Sequence, residues 1–349
     1  MHNYYALLYN RVVYETLSDC VGKSQSCLFA RSTAPEGQAY PVHWGGDCES
    51  TYEAMAESLR GGLSLMPSGY AFWASDIGEF EGTSPQTLYK RWVQFGLLSS
   101  HSRLHGSSSF RVPWIYGEDC SDVLRDCVKR IIFLTPYILQ EALLGHKQGT
   151  PLMKPLLEFP DDLNTYAVDT EYMFGGDLLV APVFSEEGEV TFYVPRDERE
   201  ENGGKWVSGF DHTKTYEGGK WCTEAHGFAT LPLLIRPGAA IFVNSELKSP
   251  MDDPFEGLEV LVNRTVEVDT VLTLVNPERM HKVLQEVPFE LKPEERDSFR
   301  MSHLISLLDG HKDQTSAKIG QAFCCGPLHL SEMYTALDHA KLERTASQN

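Results

Sequence analysis

Tyr40-Pro41-Val42-His43-Trp44-Gly45-Gly46-Asp47 decides the fold: an apolar extended run ends on two glycines and a carboxylate. A barrel strand delivers a catalytic acid to its C-terminal rim in this way, although an aspartate after paired glycines is also a common turn former. Behind it, Ser50 and Glu53 have capping-box spacing, and Tyr52, Met55, Leu59 and Leu63 recur at helical spacing. The order is strand, acidic tip, helix.

The unit recurs on both sides. Tyr5, Leu8, Tyr9, Val12, Val13 and Leu17 predict one apolar face of a helix from the first residues to about Asp19, stopped by Gly22. Residues 26–32 form a short buried strand ending at Arg31, which fits a ligand clamp and an ion-pair partner equally. Gly61-Gly62 and Pro67-Ser68-Gly69 predict a loop, and residues 70–74 another strand with a second acidic tip at Asp76. Ser84-Pro85 opens a helix carrying Leu88, Trp92 and Phe95, and residues 97–100 predict a fourth strand that ends at His101 to Gly106. Four such strands are half of a (β/α)8 barrel.

Composition narrows the function. The chain has 349 residues, 42% hydrophobic, and a formal net charge of -19, which excludes phosphate neutralisation and hence nucleic-acid binding. No apolar run reaches membrane-spanning length and no secretory leader is visible, so a cytoplasmic protein with no membrane partner is expected. The eight cysteines form no C-x-x-C pair and the twelve histidines show no ligand spacing, so reduced thiols and no metal are expected.

From residue 2 to about 243 the chain resembles glycoside hydrolase family 31, most closely its α-xylosidase branch. The resemblance rests on FARS at 29–32, HWGGDC at 43–48, ESLRGGLSL at 57–65, DIG at 76–78, YKRW at 89–92 and GLLSSHSRLHG at 96–106. It implies that Asp47 is the general acid/base and that Arg31, Trp44, Asp76, Phe80 and His105 line the sugar subsite, with His43, Trp73 and Arg103 structural. A carboxylic acid can protonate the departing glycosidic oxygen and later deprotonate water. Aromatic faces carry the ring, and polar groups hold its hydroxyls. No cofactor is implied.

The chain departs from the family pattern in two places. Glu79 stands where the family's D-I-G-G-F has its second glycine, which predicts distortion of the loop carrying Phe80. The family's nucleophile is an aspartate on the strand before the helix with which this chain opens. No aspartate precedes Asp19, and neither Asp19 nor Glu15 ends a strand, so the nucleophile is expected outside the chain.

Beyond the barrel, residues 122–144 predict a long helix broken at Pro136, and strand-like runs at 178–184, 190–194, 206–207 and 228–235 alternate with glycine-rich turns. The expected architecture is α/β plus all-β. The C-terminal half of a TIM (β/α)8 barrel occupies residues 1–150 and a proximal β-sandwich domain 151–250. A distal β-domain begins at 251–280, and 281–349 is an unassigned tail with helix-like patches at 301–308 and 331–342. The implied activity is retaining hydrolysis of terminal α-linked xylose or a related α-glycoside, the chain as written being an inactive fragment. The alternatives are an α-glucosidase of the same family and a non-catalytic sugar-binding pseudoenzyme or subunit. The expected partners are an α-linked oligosaccharide or glycoside and a second copy of the chain, paired through open barrel edges.

Overall fold

The computed structural model describes residues 1–40, 42–78, 80–107, 110–197, 204–254 and 257–263, together with strand backbone at 271–275, 286–290 and 322–324. The expectations for Glu79 and for the helix-like patches of the tail lie outside the described residues.

The chain opens with α1 (His2–Val21), which ends where Gly22 takes a φ of +84°. Then come β1 (Phe29–Ala30), β2 (Val42–Trp44), α2 (Tyr52–Leu65), β3 (Trp73–Ala74), β4 (Asp76–Ile77), α3 (Gln86–Leu97) and β5 (Arg103–Leu104). After α4 (Glu118–Phe133) and α5 (Thr135–Gln148), β6 (Met153–Lys154), β7 (Tyr172–Phe174), β8 (Leu178–Val180) and β9 (Glu189–Val194) follow. Next are β10 (Lys205–Ser208), β11 (Thr215–Glu217), β12 (Lys220–Ala225), β13 (Leu233–Ile235) and β14 (Ala240–Val243). The last strands are β15 (Glu259–Val262), β16 (Val271–Val275), β17 (Glu286–Glu290) and β18 (Ala322–Cys324).

Contacts divide the chain into two units, the first comprising Met1–Ile131, Glu141–Arg196 and Gly219–Leu234. In it β1, β2 and β3 pair in parallel, Phe29 opposite Val42 and His43 opposite Trp73, and β4 pairs in parallel with β5, Asp76 opposite Arg103. Parallel strands joined through helices bring their C-terminal ends to one rim, where Arg31, Asp47 and His105 follow β1, β2 and β5.

Several local expectations are corrected. The N-cap of α2 is Thr51, whose side chain accepts from Ala54 N, while Ser50 Oγ donates to Glu81 O. Gly61-Gly62 does not make a loop: α2 runs through it to Leu65, and position 62 is glycine because a Cβ there would stand 2.7 Å from the Trp73 ring. That glycine is a packing contact between helix and strand. Residues 97–100 are not a strand. Ser99 and Ser102 hydroxyls both donate to Gly96 O at the end of α3, and the strand begins at Arg103. On α1 the buried positions are Leu7 and Asn10, whereas Tyr5, Tyr9 and Val12 face solvent, so the inward face is rotated from the one predicted.

All ten residues of α3 from Leu88 to Leu97 are buried, which leaves polar members to be satisfied inside. Arg91 Nη2 and Nη1 donate to His226 O and Gly227 O at 2.7 and 3.0 Å, and Gln94 Nε2 donates to Phe228 O and Thr230 O. The Phe228 ring lies 4.4 Å from the Arg91 guanidinium, a cation–π contact. This helix thereby anchors the loop between β12 and β13. The same unit holds the antiparallel strands β6, β7 and β8, with β13 beside β8, and the antiparallel pair β9–β12.

The second unit comprises Ile132–Gln140, Asp197–Gly218 and Ile235–Asn349. It pairs β10 with β11, β14 with β15 and β16 with β17 antiparallel, and β15 with β18 in parallel. The buried Asn263 amide donates to the carbonyls of Lys205, Ile235 and Arg236, each at 3.0 Å. No helix among the described residues is long and apolar enough to cross a membrane.

Candidate active site

Asp47 leaves β2 on a turn whose shape the glycines impose. Gly46 has a φ of +95°, and a Cβ on it would lie 3.0 Å from Arg31 Nε. A Cβ on Gly45 would lie 3.1 Å from the Trp73 ring. The space so left lets Arg31 Nη1 donate to Asp47 Oδ2 at 2.6 Å, with the Asp47 side chain 30% exposed and within reach of solvent. The loop beyond it is stitched to the loop after β4: Glu81 N donates to Cys48 O at 3.0 Å, and Ser50 Oγ donates to Glu81 O at 2.9 Å. The two rim loops are one hydrogen-bonded layer.

Inside the rim, Asp76 is buried and Arg103 Nε donates to its Oδ1 at 2.6 Å. The Arg103 guanidinium lies 4.5 Å from the Phe29 ring centre and 4.8 Å from that of Trp44, and these two rings are 4.8 Å apart. Two polar atoms here have no partner among the described residues: Asp76 Oδ2, an acceptor, and Trp44 Nε1, a donor. A sugar hydroxyl is both donor and acceptor.

Phe80 and His105 face one another at 5.3 Å, tilted by 32°. Ser107 fixes this corner by donating both its N and its Oγ to Phe80 O at 2.9 Å, and Gly78 enters it with a φ of +85°. Two further imidazoles, His43 and His101, are pushed down to a pKa of about 4, His43 by burial and His101 by burial, then by the Arg103 charge and by His43 when that ring is protonated. Both are neutral at physiological pH and add no charge beside the carboxylates.

A cavity of about 580 Å³ is lined by Arg31, Trp44 and Asp47 together with Thr33, Glu49 and Ser58 among others. Three of the six residues assigned from the sequence thus share one cavity wall. Asp76, Phe80 and His105 are outside that lining, and Asp76 is joined to Trp44 through Arg103. Phe29 and Arg103 were not assigned to the site from sequence. Arg103 stands opposite Asp76 only through the pairing of β4 with β5, a register that neither DIG nor SRLHG carries by itself. Among the described residues no group of three or more histidine, cysteine or acidic side chains could hold a metal ion.

Parallel strands with an acid and aromatic rings at their C-terminal rim place this part of the chain in the (β/α)-barrel class. The chain belongs to glycosyl hydrolase family 31: residues 1–141 match the family's TIM-barrel domain and residues 149–241 its C-terminal domain. It is 67% identical over 311 residues to an α-xylosidase of Emericella nidulans, covering 89% of this chain and 39% of that protein. It is 43% identical over 256 residues to α-xylosidase XylQ of Lactiplantibacillus pentosus, covering 70% and 32%. Among solved structures it is similar to the Flavobacterium johnsoniae GH31 dextranase FjDex31A, whose D412A mutant is complexed with isomaltotriose. The TM-score is 0.71 at 25% identity, over 85% of this chain and 36% of that one. The chain spans well under half the length of these relatives.

Proposed function

We propose that this chain carries the acid/base carboxylate and part of the sugar subsite of a retaining α-glycosidase that releases terminal α-linked xylose. The observation that carries the reading is the Asp47 carboxylate, held by Arg31 at 2.6 Å on a rim turn and partly open to solvent. In this reading Asp47 protonates the leaving oxygen and then deprotonates water. Trp44, Phe80, Asp76 and His105 receive the ring, and Arg31 fixes the acid. The second carboxylate, the nucleophile, lies outside these 349 residues. The choice of xylose rests on the two α-xylosidases to which the chain is similar. A cytoplasmic setting fits the six described cysteines, each of which is a reduced thiol. The partner is an α-linked glycoside, and the charge of -19 argues against nucleic acid.

The test is titration of the chain with phenyl α-xyloside and phenyl α-glucoside, followed by tryptophan fluorescence. Tighter binding of the xyloside, weakened by Trp44→Ala, is expected. Preference for the glucoside moves the protein to the α-glucosidases, and binding of neither overturns the reading.

A further inference from the structure

We propose that Arg103 is a positioning residue of the sugar site, holding the Asp76 carboxylate and the Trp44 indole in the orientation in which they meet the ring. The inference rests on the sugar-site reading and deepens it. It begins with strand register: Asp76 and Arg103 stand directly opposite each other on β4 and β5, so the pair is set by the backbone and not by a chance surface encounter. The Asp76 side chain is 2% exposed, where an ionised carboxylate is strongly disfavoured unless a counter-charge is hydrogen-bonded to it. Arg103 Nε supplies that bond to Oδ1 at 2.6 Å. Oδ2 then has no partner among the described residues and keeps its lone pairs for an incoming donor.

The guanidinium has a second task. Its central carbon lies over both the Phe29 and the Trp44 rings, 4.5 and 4.8 Å from their centres, so the group that orients the acceptor also braces the aromatic wall. His101 braces Phe29 from the edge at 4.9 Å. A lysine would keep the charge at Asp76 but lacks the broad, weakly hydrated guanidinium that reaches both rings while bonding the carboxylate. One side chain on β5 therefore ties residues of β1, β2 and β4 into a single unit, and it does so behind the groups assigned to touch the sugar.

The test uses the full chain and phenyl α-xyloside, with affinity read by tryptophan fluorescence and folding by the melting curve. Arg103→Lys is expected to melt close to the parent and to bind about ten-fold more weakly, the size of one lost cation–π contact and one weakened charge-assisted bond. Arg103→Ala is expected to lose more and to regain part of its affinity when ethylguanidinium is added. Adding Asp76→Asn to Arg103→Ala is expected to cost less than the two single losses combined, as for residues that act through one another. If Arg103→Ala fails to fold, Arg103→Lys and Asp76→Asn decide the question. Parent-like affinity in Arg103→Lys, or additive losses in the double variant, overturns the positioning role while the sugar site stands. A parent chain that binds no xyloside overturns both.

Discussion

Arg31 and Asp47 face each other across the Gly45-Gly46 turn, Nη1 to Oδ2 at 2.6 Å. With the Arg31 side chain 52% exposed, the pair contributes little to stability, and its value is orientation of the acid. Gly46→Ala tests this geometry. The φ of +95° disfavours any side chain, and the new methyl would meet Arg31 Nε at 3.0 Å. We expect a cost of about 1–3 kcal/mol in denaturant melts and weaker xyloside binding, because Arg31 must leave Asp47. Unchanged binding would show that the turn does not set the acid's position.

Adjacent glycines on α2 predict opposite outcomes. A methyl on Gly61 would find nothing within 4 Å, and the position is exposed, so Gly61→Ala should stabilise by about 0.5–1 kcal/mol through helix propensity. Gly62→Ala would bring a methyl 2.7 Å from the Trp73 ring and should destabilise by about 1–3 kcal/mol despite the same propensity gain. Chemical denaturation of both variants checks the sign. Equal shifts would remove the helix–strand packing role of Gly62.

Stability should depend on pH through two buried groups, His43 and Glu171, and two half-buried ones, His101 and Glu141. Burial raises Glu141 from 4.5 to about 7, with Asp177 adding to it, and burial raises Glu171 from 4.5 to about 8. The folded chain holds these protons where the unfolded chain releases them, so their stabilisation is full below pH 4.5 and is lost as pH rises toward 7 and 8. His43 and His101 are lowered from 6.5 to about 4, so the unfolded chain takes up protons first and stability is lost as pH falls from 6.5 toward 4. The two slopes oppose each other between 4.5 and 6.5, giving a plateau in the melting temperature with a fall on either side. Glu171→Gln should flatten the alkaline fall. An alkaline arm that Gln leaves unchanged would assign it to other groups.

The rim was legible because its chemistry is local: FARS, HWGGDC and DIG each carry strand, turn and polar tip in a few consecutive residues. What escaped the sequence was contact between segments. Gly62 looks like a terminator until Trp73 is placed against it, and the serines at 99 and 102 look like strand until their hydroxyls are seen on Gly96 O. The inward face of α1 differs from the one its periodicity predicts, because Tyr5 and Tyr9 stack on each other at 6.3 Å in solvent. The role of Arg103 is not local to its segment either, since its two aromatic partners and its carboxylate come from three other strands.

Strand edges predict self-association. Among the described residues β1 pairs with β2 alone and β5 with β4 alone, so each presents an open side. Exposed Tyr5, Tyr9 and Val12 on α1 add apolar surface. Light scattering on the purified chain should report a dimer or larger, in spite of a charge of -19 that favours separation. A stable monomer would mean that the open sides are covered by residues outside those described.

The acid role of Asp47 makes the sharpest kinetic prediction. The chain alone should not turn over phenyl α-xyloside, because a retaining mechanism needs a second carboxylate on the opposite face of the ring, roughly 5 Å from the acid, to form the covalent intermediate. Turnover by the purified chain that Asp47→Asn abolishes would place the nucleophile within these residues and refute the proposal that it lies outside. In an enzyme assembled from this chain and a polypeptide that supplies the second carboxylate, activity should appear. There Asp47→Asn should lower kcat/KM about 10²–10⁴-fold for xylosides with alcohol leaving groups, which depart only when protonated. For 2,4-dinitrophenyl α-xyloside or α-xylosyl fluoride the formation of the intermediate should be nearly unaffected, since these groups leave without a proton. Loss by the same factor across the whole leaving-group series would take Asp47 out of the acid role and leave it a partner for Arg31.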